Sequence, residues 1–114
     1  MPHFIVDCSE NVLSHTSEKE VIDSIFEVAK DTGLFDVEDI KVRLRSFKIY
    51  RVGAGDPDFI HVFGHIMEGR TPEQKSNLSK RIVEKLKKVF PKVPVISMNV
   101  SEFEKSNYNN LKTI

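Results

Sequence analysis

The sequence predicts an α/β (α+β) fold: two βαβ units sharing one four-stranded sheet, with both helices on one face. Three observations carry that expectation. Short runs of β-forming residues bracket two capped amphipathic helices, the order strand-helix-strand occurs twice, and the apolar period switches between about 2 and about 3.6 from segment to segment. The expected organisation is one domain over residues 1–114, with a first repeat at about 2–50, a second at about 59–103 and a tail at 104–114. A chain of this length buries roughly 65% of the surface its unfolded form exposes, enough for one core.

Taken in order, His3–Cys8 (HFIVDC) is short and rich in β-formers, so it reads as a strand. Residues 9–16 are polar and irregular. Ser17 stands three before Glu20, the spacing of a capping box, and Val21, Ile22, Ile25, Val28 and Ala29 follow at helical intervals, which places a helix at about 18–31. Gly33 is its expected stop. Ile40, Val42 and Leu44 then alternate with Lys41, Arg43 and Arg45, a strand with one apolar and one cationic side. The alternation shifts phase near Ser46, where Phe47 and Ile49 take up the apolar pattern, so a bulge or the strand's end is expected there. Residues 53–58 (GAGDPD) form a turn by composition.

Phe59–Met67 (FIHVFGHIM) opens the second repeat as a strand. Thr71-Pro72-Glu73-Gln74 starts a helix, with Thr71 as N-cap, Pro72 at the first helical position and Gln74 completing the box. Leu78, Ile82, Leu86 and Val89 form its buried stripe, and Pro91 ends it. Val93–Val100 is the fourth strand, and Phe103, Tyr108 and Leu111 are candidate anchors of the tail. Joining two strands through a helix implies parallel pairing within each unit. Ile60, Val62 and Ile66 then suit the helix-covered face. The opposite face carries Phe59, His61, Phe63, His65 and Met67, too apolar for water, so a symmetric homo-oligomer is expected.

Composition narrows the function classes. Seventeen Lys+Arg balance seventeen Asp+Glu, a net charge of zero that argues against a nucleic-acid partner. No apolar run approaches the roughly 20 residues needed to span a bilayer, and no signal peptide is visible, so no membrane partner and a cytoplasmic location are expected. The single cysteine, Cys8, has no internal disulfide partner and reads as a small buried hydrophobe.

Four residues are candidates for chemistry. Removal of Met1 would leave Pro2 with a free secondary amine, a base whose reference pKa of about 7.7–8.0 falls further beside cations or in an apolar pocket. The bland alternative is that Met-Pro is one common start among many. Arg70 sits where a strand ends and a capped helix begins, a good place for a carboxylate receptor, or for a merely solvated arginine. Lys41 and Arg43, with Arg45, lie on one side of a strand and repel one another; either an anionic substrate or the carboxylates Asp36, Glu38 and Asp39 must offset them. His61 and His65 share a strand face, but no third ligand at metal spacing accompanies them, so they read as packing residues and no metal is expected. No phosphate loop or dinucleotide fingerprint is present.

The start Met1–Cys8 (MPHFIVDC) and the stretch Ile66–Lys75 (IMEGRTPEQK) resemble the tautomerase superfamily, and within it the 5-carboxymethyl-2-hydroxymuconate isomerase family, over essentially the whole chain. The resemblance implies a tautomerase-like homotrimer acting without cofactor or metal on a small anionic 2-hydroxymuconate-type substrate of homoprotocatechuate degradation. It implies Pro2 as general base and acid, Arg70 as carboxylate-binding arginine, and substrate-binding roles for Lys41 and Arg43. Lys41 stands where relatives carry arginine, keeping the charge and losing the bidentate fork. Two other readings are a non-catalytic, cytokine-like interaction protein on the same scaffold and a monomeric ferredoxin-like binding module.

Overall fold

The computed structural model describes residues 1–14 and 16–114. Its elements are β1 (His3–Ser9), α1 (Glu18–Asp31), β2 (Lys41–Phe47), β3 (Phe59–Met67), α2 (Pro72–Val89) and β4 (Val95–Phe103), with short 3-10 turns at Glu10–Ser14, Val37–Asp39 and Lys105–Asn107. Position 15, in the stretch expected to be irregular, lies outside the described residues.

The sheet runs in the order β2-β1-β3-β4. β1 pairs with β2 in parallel and β3 with β4 in parallel, while the two central strands, β1 and β3, are antiparallel. Each unit therefore keeps its two strands adjacent, with no strand inserted between them. That arrangement excludes the split βαβ plan of a ferredoxin-like module. The antiparallel centre also sends the starts of β1 and β3 to opposite ends of the sheet.

Both helices begin as their sequences dictate. Ser17 accepts a hydrogen bond from Glu20 N–H at 3.1 Å. The capping box of α2 is complete, with Gln74 N–H donating to Thr71 Oγ1 and Thr71 N–H donating to Gln74 Oε1. Strand alternation then decides what the helices cover. Phe4, Val6 and Cys8 of β1 and Ile60, Val62 and Ile66 of β3 are buried against Val21, Ile25, Leu78, Ile82 and Leu86. Each such fully buried aliphatic or aromatic side chain contributes about 1.5–3 kcal/mol. Gly64 shares this face where Phe4 lies directly opposite it; a Cβ there would stand 2.8 Å from the Met98 methyl.

The structure corrects or resolves four expectations. The fourth strand is Val95–Phe103, two residues later at its start than the apolar run suggests. Pro94 lacks the N–H a ladder needs, and Val93 is held in a turn by its bond to Phe90 O at 3.1 Å. At its far end β4 continues because Met67 of the nine-residue β3 offers Phe103 a partner. The phase shift near Ser46 is the strand's end and not a bulge: the register runs unbroken to Ser9 and Phe47, and Ile49 beyond it is 90% exposed. Leu111, also 90% exposed, anchors nothing, whereas Tyr108 packs on Phe103 with ring centroids 5.8 Å apart.

The fourth concerns the helix-free face. It is less apolar than β3 alone suggests, because β4 contributes Ser97, Asn99 and Ser101 to it and β2 contributes Arg43 and Arg45. His61 sits between these polar groups, its Nδ1 2.7 Å from Ser97 Oγ and its Nε2 2.8 Å from Asn99 Oδ1. Asp7, directly opposite Arg45 in the register, accepts from Arg45 Nε at 2.9 Å. Arg45 is thus paired across the sheet and not with a carboxylate of the preceding acidic connection, whereas Lys41 stays beside that connection, its Nζ donating to Asp39 O.

Candidate active site

The chain start enters the sheet beside the start of β2. Lys41 N–H donates to Pro2 O at 3.1 Å, which extends the ladder one residue and holds Pro2 in place. The Pro2 ring is fully buried, on the same side as Phe4 and Val6. Met1 caps it and lines a cleft of about 410 Å3 together with Asp39, Met67, Arg70 and residues of the C-terminal segment. Two other clefts, of about 550 and 680 Å3, open near the far end of β1, around Asn11. They are larger, yet neither is lined by Arg70 or by the chain start, so volume does not choose the site.

The groups around the chain start are cationic. Burial lowers the pKa of the Met1 amine, and Lys41 and then Arg70 lower it further, while Asp39 works in the opposite direction. Lys41 Nζ itself donates to Asp39 O at 2.8 Å. With Met1 attached the Pro2 nitrogen is an amide and has no basic lone pair. An amine at Pro2 would sit one residue deeper, beside the same cations.

Arg70 owes its position to the turn that precedes it. Gly69 adopts a φ of 115°, a conformation other residues rarely take, so the chain reverses between Met67 and the capped start of α2. The guanidinium is then fixed from three sides. Its NH2 donates to Leu34 O at 2.6 Å, its NH1 donates to Met67 O at 3.4 Å, and its Cζ lies 5.2 Å over the Phe35 ring. Two of five N–H donors are used in this way, and three remain for a ligand.

Arg43 is placed elsewhere. Strand alternation puts it on the helix-free face, where its NH1 lies 3.0 Å from His3 Nδ1. The structure therefore brings Lys41 and Arg70 close to the chain start at Pro2; of the four candidates only Arg70 lines the cleft, and Pro2, Lys41 and Arg43 do not. His3 has its pKa lowered by burial first and then by Arg43 and Lys41, so it is held neutral and its Nδ1 serves as acceptor. Burial likewise pushes the Cys8 thiol up to about 11, which removes it as a nucleophile at neutral pH.

Sequence reasoning missed several groups. Phe35 and the Leu34 carbonyl lie 35 and 36 positions from Arg70, a separation no local pattern encodes. Lys105 and Asn110 come from an aperiodic segment. Tyr108 was legible as an anchor, but not as part of the cleft. The cleft can hold a small anion against Arg70 beside an amine of lowered basicity, which is an arrangement for moving a proton on a bound carboxylate.

Comparison with known proteins accords with this geometry. Residues 2–113 match the family model for 5-carboxymethyl-2-hydroxymuconate isomerase. The chain is 26% identical over 92 residues to the 5-carboxymethyl-2-hydroxymuconate Delta-isomerase of Escherichia coli, covering 79% of this chain and 73% of that protein. The crystal structure of a 5-carboxymethyl-2-hydroxymuconate isomerase from Deinococcus radiodurans R1 superposes with a TM-score of 0.78 at 19% identity, covering 96% and 87% of the two chains. A fused 4-OT that forms a symmetric trimer superposes with a TM-score of 0.81 at 11% identity, covering 98% and 94%.

Proposed function

We propose a mechanism for this isomerase, which belongs to the 5-carboxymethyl-2-hydroxymuconate isomerase family and has the tautomerase-like fold. Its substrate is a small dicarboxylic or tricarboxylic 2-hydroxymuconate-type acid, and Pro2 carries the proton. With Met1 absent, the Pro2 secondary amine takes a proton from a carbon or the enol oxygen of the bound acid. The resulting dienolate holds the electron pair in conjugation, and the proton returns from the Pro2 ammonium to a different carbon, which moves the double bond without net gain or loss of atoms. A base matched in this way to the working pH is worth about 10²–10⁴-fold.

Arg70 holds a substrate carboxylate through its free donors, and its contacts with Leu34, Met67 and Phe35 fix its plane before substrate arrives. Lys41 keeps the amine neutral and offsets charge that develops on the dienolate. Within one subunit Arg43 reaches the site only through His3; direct contact with substrate would require the assembled homotrimer. The observation that supports this reading is that Met1, next to Pro2, lines one cleft with Arg70, while Lys41 is close enough to lower the pKa of the chain-start amine. The family match favours it over a non-catalytic interaction protein.

The test compares protein with Met1 retained and with Met1 removed, following ketonisation of 2-hydroxymuconate by ultraviolet absorbance. Only the processed form should turn over, and Pro2→Ala in that background should lose about 10²-fold or more. Equal rates with and without Met1 would sink the role of Pro2.

A further inference from the structure

We propose that the segment following β4 forms a second anion-binding end of the same cleft, with Lys105 selecting substrates that carry a carboxylate remote from Arg70. This rests on the isomerase reading above and adds the group that distinguishes a diacid from a monoacid. Arg70 lines the cleft from the strand-to-helix turn, whereas Lys105, Tyr108 and Asn110 line it from the C-terminal segment. At about 410 Å3 it falls within the roughly 300–1,000 Å3 typical of small-molecule sites, with room for an extended six-carbon diacid.

The segment is built into the fold. Glu68, in the turn that carries Arg70, donates its N–H to Phe103 O at 3.0 Å and accepts the Lys105 N–H on Oε2 at 2.6 Å. One residue thus ties together the chain on either side of the cleft. Tyr108 packs on Phe103, whose ring meets His3 at 6.3 Å and His65 at 5.9 Å between centroids. The side chains present donors. Asn110 Oδ1 is occupied by the Lys112 and Thr113 N–H groups at 2.9 and 3.2 Å, which leaves its amide NH2 beside the Tyr108 hydroxyl at 3.4 Å.

Among the described residues Lys105 makes no ion pair, in contrast to nearby Lys75, which pairs with Glu102 at 3.1 Å. The lining of the cleft therefore sets Arg70, Lys105 and the chain-start amine against one carboxylate, Asp39. An excess of cations contributed from two separate segments suits a ligand with two anionic ends.

The experiment uses processed protein, with hexanedioate and hexanoate as non-reacting probes in titration calorimetry. In parallel, 2-hydroxymuconate and the monocarboxylate 2-hydroxypenta-2,4-dienoate serve as substrates. Wild type should bind the diacid at least tenfold more tightly than the monoacid, the worth of about one charge-assisted contact. Lys105→Ala should reduce that preference to about twofold and lower the diacid-to-monoacid ratio of kcat/KM by a similar factor, and Lys105→Arg should restore both. No preference in wild type, or a full preference retained by Lys105→Ala, overturns the assignment. Preserved discrimination in binding with no turnover of either acid would instead count against the isomerase reading and leave Lys105 in place.

Discussion

Replacement of Arg70 separates charge from geometry, because its guanidinium is held in a defined plane. NH2 donates to Leu34 O at 2.6 Å, NH1 donates to Met67 O at 3.4 Å, and the group stacks 5.2 Å from the Phe35 centroid. Three N–H donors remain, enough for a two-point grip on a carboxylate. Charge-assisted bonds contribute about 1.5–3 kcal/mol each, and at a half-buried site the lower end applies. Two of them give about 3 kcal/mol, and at about 1.4 kcal/mol per decade Arg70→Ala should lower kcat/KM about 100-fold. Arg70→Lys keeps the charge but loses the fork and the two structural bonds, and should lose about tenfold. Both variants leave the Leu34 and Met67 carbonyls to water, which should cost about 1 kcal/mol and lower Tm by about 4–6 °C. Initial rates of ketonisation at 25 °C, read against Tm for each variant, provide the assay. Retention of wild-type kcat/KM within twofold by Arg70→Ala would refute a role for Arg70 in binding, and its retention within twofold by Arg70→Lys would refute a role for the fork.

The remaining predictions concern the sheet's helix-free face. His3 has its pKa lowered below 6.5 in the folded state, so the unfolded chain binds the proton more readily. The stability linked to His3 is present above pH 6.5 and is lost as pH falls through the lower folded value, with Arg43 and His65 repelling the new charge. His3→Asn should therefore show a shallower fall of Tm between pH 7 and pH 5 than wild type; parallel slopes would show that His3 is not the titrating group. Sedimentation equilibrium of processed protein should give three times the subunit mass, and a monomer at micromolar concentration would overturn the proposed trimer.

Local chemistry determined most of the elements. Ser17 with Glu20, Thr71 with Gln74, and Pro72 at the first helical position place both helix starts, because a cap is satisfied within one turn and needs no distant partner. Alternation in Phe59–Met67 likewise assigns each β3 residue to its face, since the side-chain period of a strand is two whatever lies beside it. Sequence chemistry also made the candidates visible: Pro2 through the secondary amine it would expose, Arg70 through its place at a strand-to-helix junction, and Lys41 and Arg43 through the cationic side of one strand.

Other features waited for the pairing of distant strands. The antiparallel contact of β1 with β3, the Asp7–Arg45 and His3–Arg43 pairs, and the polar residues β4 adds to the free face all depend on register between residues at least 36 positions apart. The same holds for Arg70 on Phe35 and Leu34, and for Lys105 at the cleft, because an aperiodic tail carries no signal until Glu68 and Phe103 hold it in place. Residue types and short spacings decided which groups could act. Only the assembled sheet decided that Arg70 and Lys41 lie near the chain-start amine while Arg43, two residues along from Lys41 on the same strand face, does not: Lys41 begins β2 at the chain-start end of the sheet, whereas Arg43 lies one pleat further along, beside His3.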